Sequence, residues 1–223
     1  MPWSKADNGF PIRLPRPRTA INSEGIKRDV VVIGASAGGV MALRELFAAF
    51  PAGMPAAVGV VLHRSAAPGE LAQVLGRRSA LPVIEPAGRT AMKQGHIYLA
   101  PPDHHLLFET GRRLAIRRGP REHSTRPAVD PLFRSAAETY GRRVVGILLT
   151  GCGEDGVSGL IAIAKASGLT LAQDPEEAYM PSMPLNALRY DDVNGVFRID
   201  ELGPVVAALA AGREIPARRA TRR

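Results

Sequence analysis

A serine, a histidine and an aspartate, each placed just beyond an apolar run, could together make an activated nucleophile: Ser36, His63 and Asp155. A serine hydroxyl attacks a carbonyl at neutral pH only when a base takes its proton, and the base needs an acid to fix its tautomer and steady the imidazolium. Ser36 stands in Gly34-Ala35-Ser36-Ala37-Gly38, a G-x-S-x-G string that follows the β-branched run Val30-Val31-Val32-Ile33 and precedes helical spacing. A buried strand that breaks into a tight turn and then a helix lifts one hydroxyl clear of the sheet edge, beside helix N-terminal amides. Small neighbours leave room for a substrate to approach. His63 closes the run Ala57–Leu62, and Asp155 follows Val144–Thr150 within Gly151-Cys152-Gly153-Glu154-Asp155-Gly156.

Each of the three also has an ordinary reading. Ser36 could cap the following helix, His63 could be a strand-end histidine bonded locally, and Asp155 could cap the helix after Gly156. Parallel strands bring their ends together, and unrelated caps would not need to supply nucleophile, base and orienter at once. The chain order is Ser, His, Asp, which differs from the Ser, Asp, His order of α/β-hydrolases. The glycine-rich turn is also compared with a dinucleotide fingerprint, but Ser36 replaces the second glycine of G-x-G-x-x-G and no Walker lysine follows, so no cofactor is expected. Cys152 fits a packing or backbone-donor role better than a thiol nucleophile. His96, His104 and His105 lack companion cysteines or carboxylates at ligand spacing, and no metal is expected.

The elements that must position these residues follow from hydropathy period. A strand at 29–33 leads to a helix at 38–50 with Val40, Leu43, Leu46 and Phe47 near helical spacing. A strand at 57–62, a helix at 69–77 and a short strand at 82–84 complete a βαβαβ opening, which implies a parallel sheet. Between Gly95 and Arg118 the runs 96–100, 106–108 and 114–116 are separated by turn residues and read as a small antiparallel hairpin. Helices at 130–140, 156–167, 185–190 and 201–211 and strands at 143–150 and 169–172 finish the domain. The expected fold is a three-layer αβα sandwich with a mostly parallel central sheet and a small antiparallel hairpin. Ligand sites in such folds gather beyond the carboxyl ends of the strands.

The chain has 223 residues, 45% of them apolar, enough for one large α/β domain. The expected organisation is a flexible basic leader at 1–28, a catalytic domain at 29–212 and a basic tail at 213–223. A formal net charge of +8 favours an acidic partner, whether nucleic acid, an anionic membrane or an acidic protein surface, but much of that charge is terminal and reads first as solubilising tails. Cys152 is the only cysteine, so no intramolecular disulfide can form and a cytoplasmic location fits. The N-terminus has no apolar signal core, and no apolar stretch reaches the roughly 20 residues of a spanning helix.

With these residues assembled, the chain resembles the catalytic domain of the chemotaxis protein-glutamate methylesterases, the CheB-type family, over about residues 29–210. The resemblance rests on Ile33–Gly39, the strand ending at His63, Gly95–Pro101, Arg126-Pro127-Ala128-Val129-Asp130 and Leu149–Gly156. It implies Ser36 as nucleophile, His63 as base and Asp155 as orienting acid, with Ala37, Gly38, Cys152 and Gly153 as candidates for the oxyanion or substrate pocket. It further implies hydrolysis of glutamate γ-methyl esters, and in some members glutamine deamidation, on the helical bundle of chemoreceptors, with no nucleic acid and no membrane insertion. A non-catalytic receptor-binding module and a small-molecule carboxylesterase stay open as alternatives. The family often has methionine at Cys152, threonine at Ala37 and asparagine at Glu154. The leader is too short for a receiver domain, so phosphorylation control is expected, if anywhere, from a separate receiver protein.

Overall fold

The strands that carry the candidate residues are apolar on both faces, and only a sheet covered on both sides buries them. In the computed structural model, which describes residues 25–67, 69–191 and 193–215, β1 (Val30–Ala35), β2 (Ala57–Leu62) and β8 (Val144–Leu148) are buried along their whole length. They belong to a seven-stranded parallel sheet in the order β10-β9-β8-β1-β2-β5-β3. Its other members are β3 (Val83–Ile84), β5 (His96–Leu99), β9 (Leu169–Gln173) and β10 (Gly195–Phe197). Complete burial of β-branched runs is what a parallel sheet with helices on both faces demands.

Side chains alternate across β1. Val31, Ile33 and Ala35 enter one core with α1 (Gly39–Ala48), α2 (Leu71–Gly76) and α6 (Ile199–Ala210). Val30 and Val32 enter the other with α3 (Val129–Tyr140), α4 (Val157–Lys165) and α5 (Ser182–Tyr190). A second sheet of β4 (Thr90–Ala91), β7 (Arg113–Arg117) and β6 (His105–Glu109) is antiparallel and lies on the α3 side through Leu106, Phe108 and Leu114. The expected three-layer αβα sandwich is the observed fold.

One assignment is corrected. The run at 96–100 is not part of the antiparallel hairpin: His96–Leu99 pairs in parallel with both β2 and β3 and so separates them. Its residues from Ile97 onward are all buried, which a central strand requires and a half-exposed hairpin strand does not. The hairpin proper is β6 with β7, joined at its edge by β4.

The chain departs from β1 in one direction to β2 and returns much later on the other side as β8. A crevice opens at such a reversal of strand order, beyond the carboxyl ends. Residues 1–24 of the expected leader and 216–223 of the expected tail lie outside the described residues. Arg28 is buried, and its guanidinium donates to the carbonyls of Arg142 and Ser167.

Candidate active site

Register places Ser36 and His63 side by side. Ala35 pairs with Leu62 at the ends of β1 and β2, and the next step along each strand is Ser36 and His63. The His63 amide donates to the Ala35 carbonyl at 3.0 Å, and the Ser36 amide donates to the Thr150 carbonyl at 2.9 Å. Ser36 is thus held between the strand that delivers His63 and the strand that leads to Asp155. Ser36 and His63 line one open cleft of about 550 Å³ with Gly38, Met41, Leu62 and Arg64.

Neither glycine of the G-x-S-x-G string is idle. Gly38 has φ of 79°, the left-handed conformation that glycine adopts without strain, and a Cβ there would lie 2.6 Å from Tyr179. Gly34 serves packing rather than substrate approach: a Cβ on it would meet Val129 Cγ1 at 2.4 Å. Gly38 is also the N-cap of α1, so Ser36 is not, and the capping reading of Ser36 falls.

Asp155 does not cap the helix that follows it, where Gly156 is the N-cap. Its carboxylate crosses to the start of α3, accepting from the Val129 amide at 2.7 Å and the Asp130 amide at 2.9 Å. His63 Nε2 lies 2.7 Å from Asp155 Oδ2. Burial pushes the Asp155 pKa up, but the His63 hydrogen bond and the two amides outweigh it and hold the carboxyl below its ordinary range. Nε2 is committed to Asp155, with Thr125 Oγ1 3.4 Å away, and Nδ1 makes no hydrogen bond among the described residues, which leaves it as the ring nitrogen able to take a proton. The arrangement can take a hydroxyl proton and store positive charge on the imidazole.

The amides of Ala37, Gly38 and Cys152 make no hydrogen bond among the described residues, as donors awaiting an oxyanion would not. The Gly153 amide differs, since it donates to Ser182 Oγ at 3.3 Å. Cys152 is exposed. His96, His104 and His105 each place a ring nitrogen on a nearby backbone carbonyl.

Two residues of this neighbourhood carry roles that the sequence reading did not assign. Asp130 returns the gesture of Asp155, with Oδ1 accepting from the Gly156 and Gly159 amides at 3.1 and 2.6 Å, so α3 and α4 exchange N-terminal carboxylates. Its Oδ2 meets His123 Nε2 at 2.9 Å. His123, Asp130 and Asp155 place ligand-type atoms within 4.8 Å of one another. Amides and imidazoles, however, already engage each of those carboxylate oxygens. Thr150, two residues past the end of β8, is buried and bonds through its hydroxyl to the Ala37 carbonyl at 2.9 Å. A start-of-helix aspartate and a strand-end threonine were visible signals, but nothing local tells which partner each reaches.

Comparisons with known proteins bear on the family and the fold. Residues 31–206 match the CheB methylesterase family model. The crystal structure of the Thermotoga maritima CheB methylesterase catalytic domain superposes with a TM-score of 0.76 at 30% identity, covering 82% of this chain and 100% of that one. A Symbiobacterium thermophilum protein-glutamate methylesterase/protein-glutamine glutaminase is 37% identical over 81% of this chain, which spans 47% of that longer relative. A Leptospira interrogans protein, named as a candidate for the same activities, is 31% identical over 81% of this chain and 94% of its own length. Among the described residues no helix is long and apolar enough to cross a membrane. By family model, by relatives and by fold, this chain belongs to the CheB methylesterase family.

Proposed function

We propose that the chain is a serine hydrolase that removes methyl groups from glutamate γ-methyl esters of chemoreceptors, with glutamine deamidation as the parallel reaction. The observation that carries this reading is the His63–Asp155 pair, its carboxylate buried and its imidazole lining one cleft with Ser36 at the adjoining strand end. Ser36 Oγ attacks the ester carbonyl while His63 takes its proton. The charge that forms on the carbonyl oxygen is received by the free amides of Ala37, Gly38 and Cys152. Collapse expels methoxide, which leaves as methanol with the proton from His63 and leaves the glutamyl group on Ser36. Water, deprotonated by His63, then attacks that acyl carbonyl, and Ser36 departs with the proton to regenerate the hydroxyl beside a free carboxylate. With a glutamine side chain the first leaving group is ammonia, and the second half is unchanged.

The test is methanol release from a methylated receptor cytoplasmic fragment by the native chain and by Ser36→Ala. Release by the native chain, reduced by roughly 10³-fold or more in the variant, is the expected result. Equal release by both would sink the serine mechanism. Rapid hydrolysis of small aryl esters with no methanol from the receptor fragment would point to a small-molecule esterase.

A further inference from the structure

We propose that Thr150 is a positioning residue for the acyl-transfer step: its hydroxyl orients the peptide between Ala37 and Gly38 so that the Gly38 amide faces the cleft as an oxyanion donor. Both hydrogen-bonding capacities of that hydroxyl are used. It donates to the Ala37 carbonyl at 2.9 Å, the shorter of its two acceptor contacts since the Met180 carbonyl lies at 3.3 Å, and it accepts from the Met180 amide at 2.9 Å. The Thr150 amide in turn donates to Gln173 Oε1 at 2.9 Å, and Gln173 Nε2 donates to Glu177 Oε1 at 3.1 Å. Thr150 is 1% exposed, so this bonding takes place out of water.

The carbonyl and the amide of one trans peptide point to opposite sides of the chain. A hydroxyl two residues past β8 that holds the Ala37 carbonyl therefore turns the Gly38 N–H away from Thr150, and of the two cavities that Gly38 lines, the one opposite Thr150 is the cleft with Ser36 and His63. That amide has no other hydrogen-bond partner among the described residues. Valine would fill the same volume as threonine in this buried place. The hydroxyl is needed because polar backbone groups converge on it, the Ala37 carbonyl from the turn after β1 and the Met180 amide and carbonyl from the segment after β9.

The inference rests on the acyl-transfer reading, and its test separates the two. Thr150→Val and Thr150→Ser are assayed for methanol release beside the native chain and Ser36→Ala, with folding checked by circular dichroism and thermal melting. Affinity for a boronic acid, which forms a tetrahedral adduct on an active serine, is measured for each. Thr150→Val is expected to lower kcat roughly 10- to 100-fold with KM within about twofold, and to weaken boronate binding by a similar factor. Thr150→Ser restores both to within about threefold of the native chain, since it returns the hydroxyl. Should Thr150→Val fail to fold, Thr150→Cys, a weak donor of similar bulk, must fall between serine and the loss of the group. A native kcat in the valine or cysteine variant overturns the proposal, as does a lost kcat with unchanged boronate affinity. Methanol release that does not depend on Ser36 overturns the acyl-transfer reading and this proposal with it, a result distinct from a Ser36-dependent enzyme indifferent to Thr150.

Discussion

Asp155 and Asp130 are neighbours whose carboxyls are pulled in opposite directions. At Asp155, burial raises the pKa, but His63 and the Val129 and Asp130 amides lower it by more. At Asp130, burial raises it, and the Asp155 charge adds to that beyond what the Gly159 amide and His123 take back. Ionised Asp155 thus stabilises the fold above the ordinary carboxylate range, and that contribution is lost as pH falls through its depressed folded pKa. Asp130 behaves conversely: its contribution is full below the ordinary range and is lost as pH rises through its raised folded pKa. Asp130→Asn keeps an oxygen for the Gly156 and Gly159 amides, so its melting temperature at pH 7 should equal or exceed the native value, with the advantage shrinking toward pH 4. A melting temperature several degrees lower at pH 7 would refute the opposing-shift argument. Asp155→Asn should lower kcat by about 10³- to 10⁴-fold with little change in KM, because an amide in that place favours the wrong imidazole tautomer. Steady-state methanol release checks it. Ser36, His63 and Asp155 were legible as a set because chemically able residues rarely end three separate apolar strands. Asp130 and Thr150 were not, since their bonds span 26 and 113 residues and leave no local pattern.

At the scale of elements, the site depends on how closely α3 approaches the sheet. Val129 is wedged between Gly34 of β1 and Gly156 at the head of α4, where added Cβ atoms would come within 2.4 and 2.9 Å of its Cγ1. That approach is what brings the Val129 amide to Asp155. Gly34→Ala forces a β-branched neighbour to move, at a cost of about 1–3 kcal/mol, and the same displacement pulls an amide from Asp155. We expect a lower melting temperature together with a lower kcat, both partly restored in Gly34→Ala/Val129→Ala. Double-mutant stabilities that simply add would show that the two side chains do not compete for the space. The parallel strands β1, β2 and β8 were legible because runs of valine, isoleucine and leucine buried on both faces have few other homes. The strand at 96–99 was grouped with its neighbours in sequence, since a short apolar run between turn residues does not declare whether it pairs with the next strand or with one 39 residues earlier, as Ala57 with His96 does. β4 and β10, of two and three residues, are too short to show any period.

Over the whole molecule, several of the described carboxylates pair with arginines: Asp29 with Arg143, Asp103 with Arg126 and Arg118, Glu109 with Arg89 and Arg117, Glu122 with Arg134. The whole sequence has 29 lysines and arginines against 21 acidic residues, a formal excess of +8 to which residues 1–24 and 216–223 contribute, and that excess acts at long range. Such a field raises the encounter rate with an acidic protein and leaves the chemistry at Ser36 untouched. An ester embedded among carboxylates should therefore lose several-fold in kcat/KM between about 50 and 500 mM salt, as the Debye length shortens from about 14 to 4 Å. A small neutral aryl ester, which feels no such field, should lose almost nothing over the same range. Measuring both substrates on one preparation separates steering from catalysis. A parallel decline would place the salt effect inside the catalytic device, and a flat response for both would show that the positive excess plays no part in meeting the substrate.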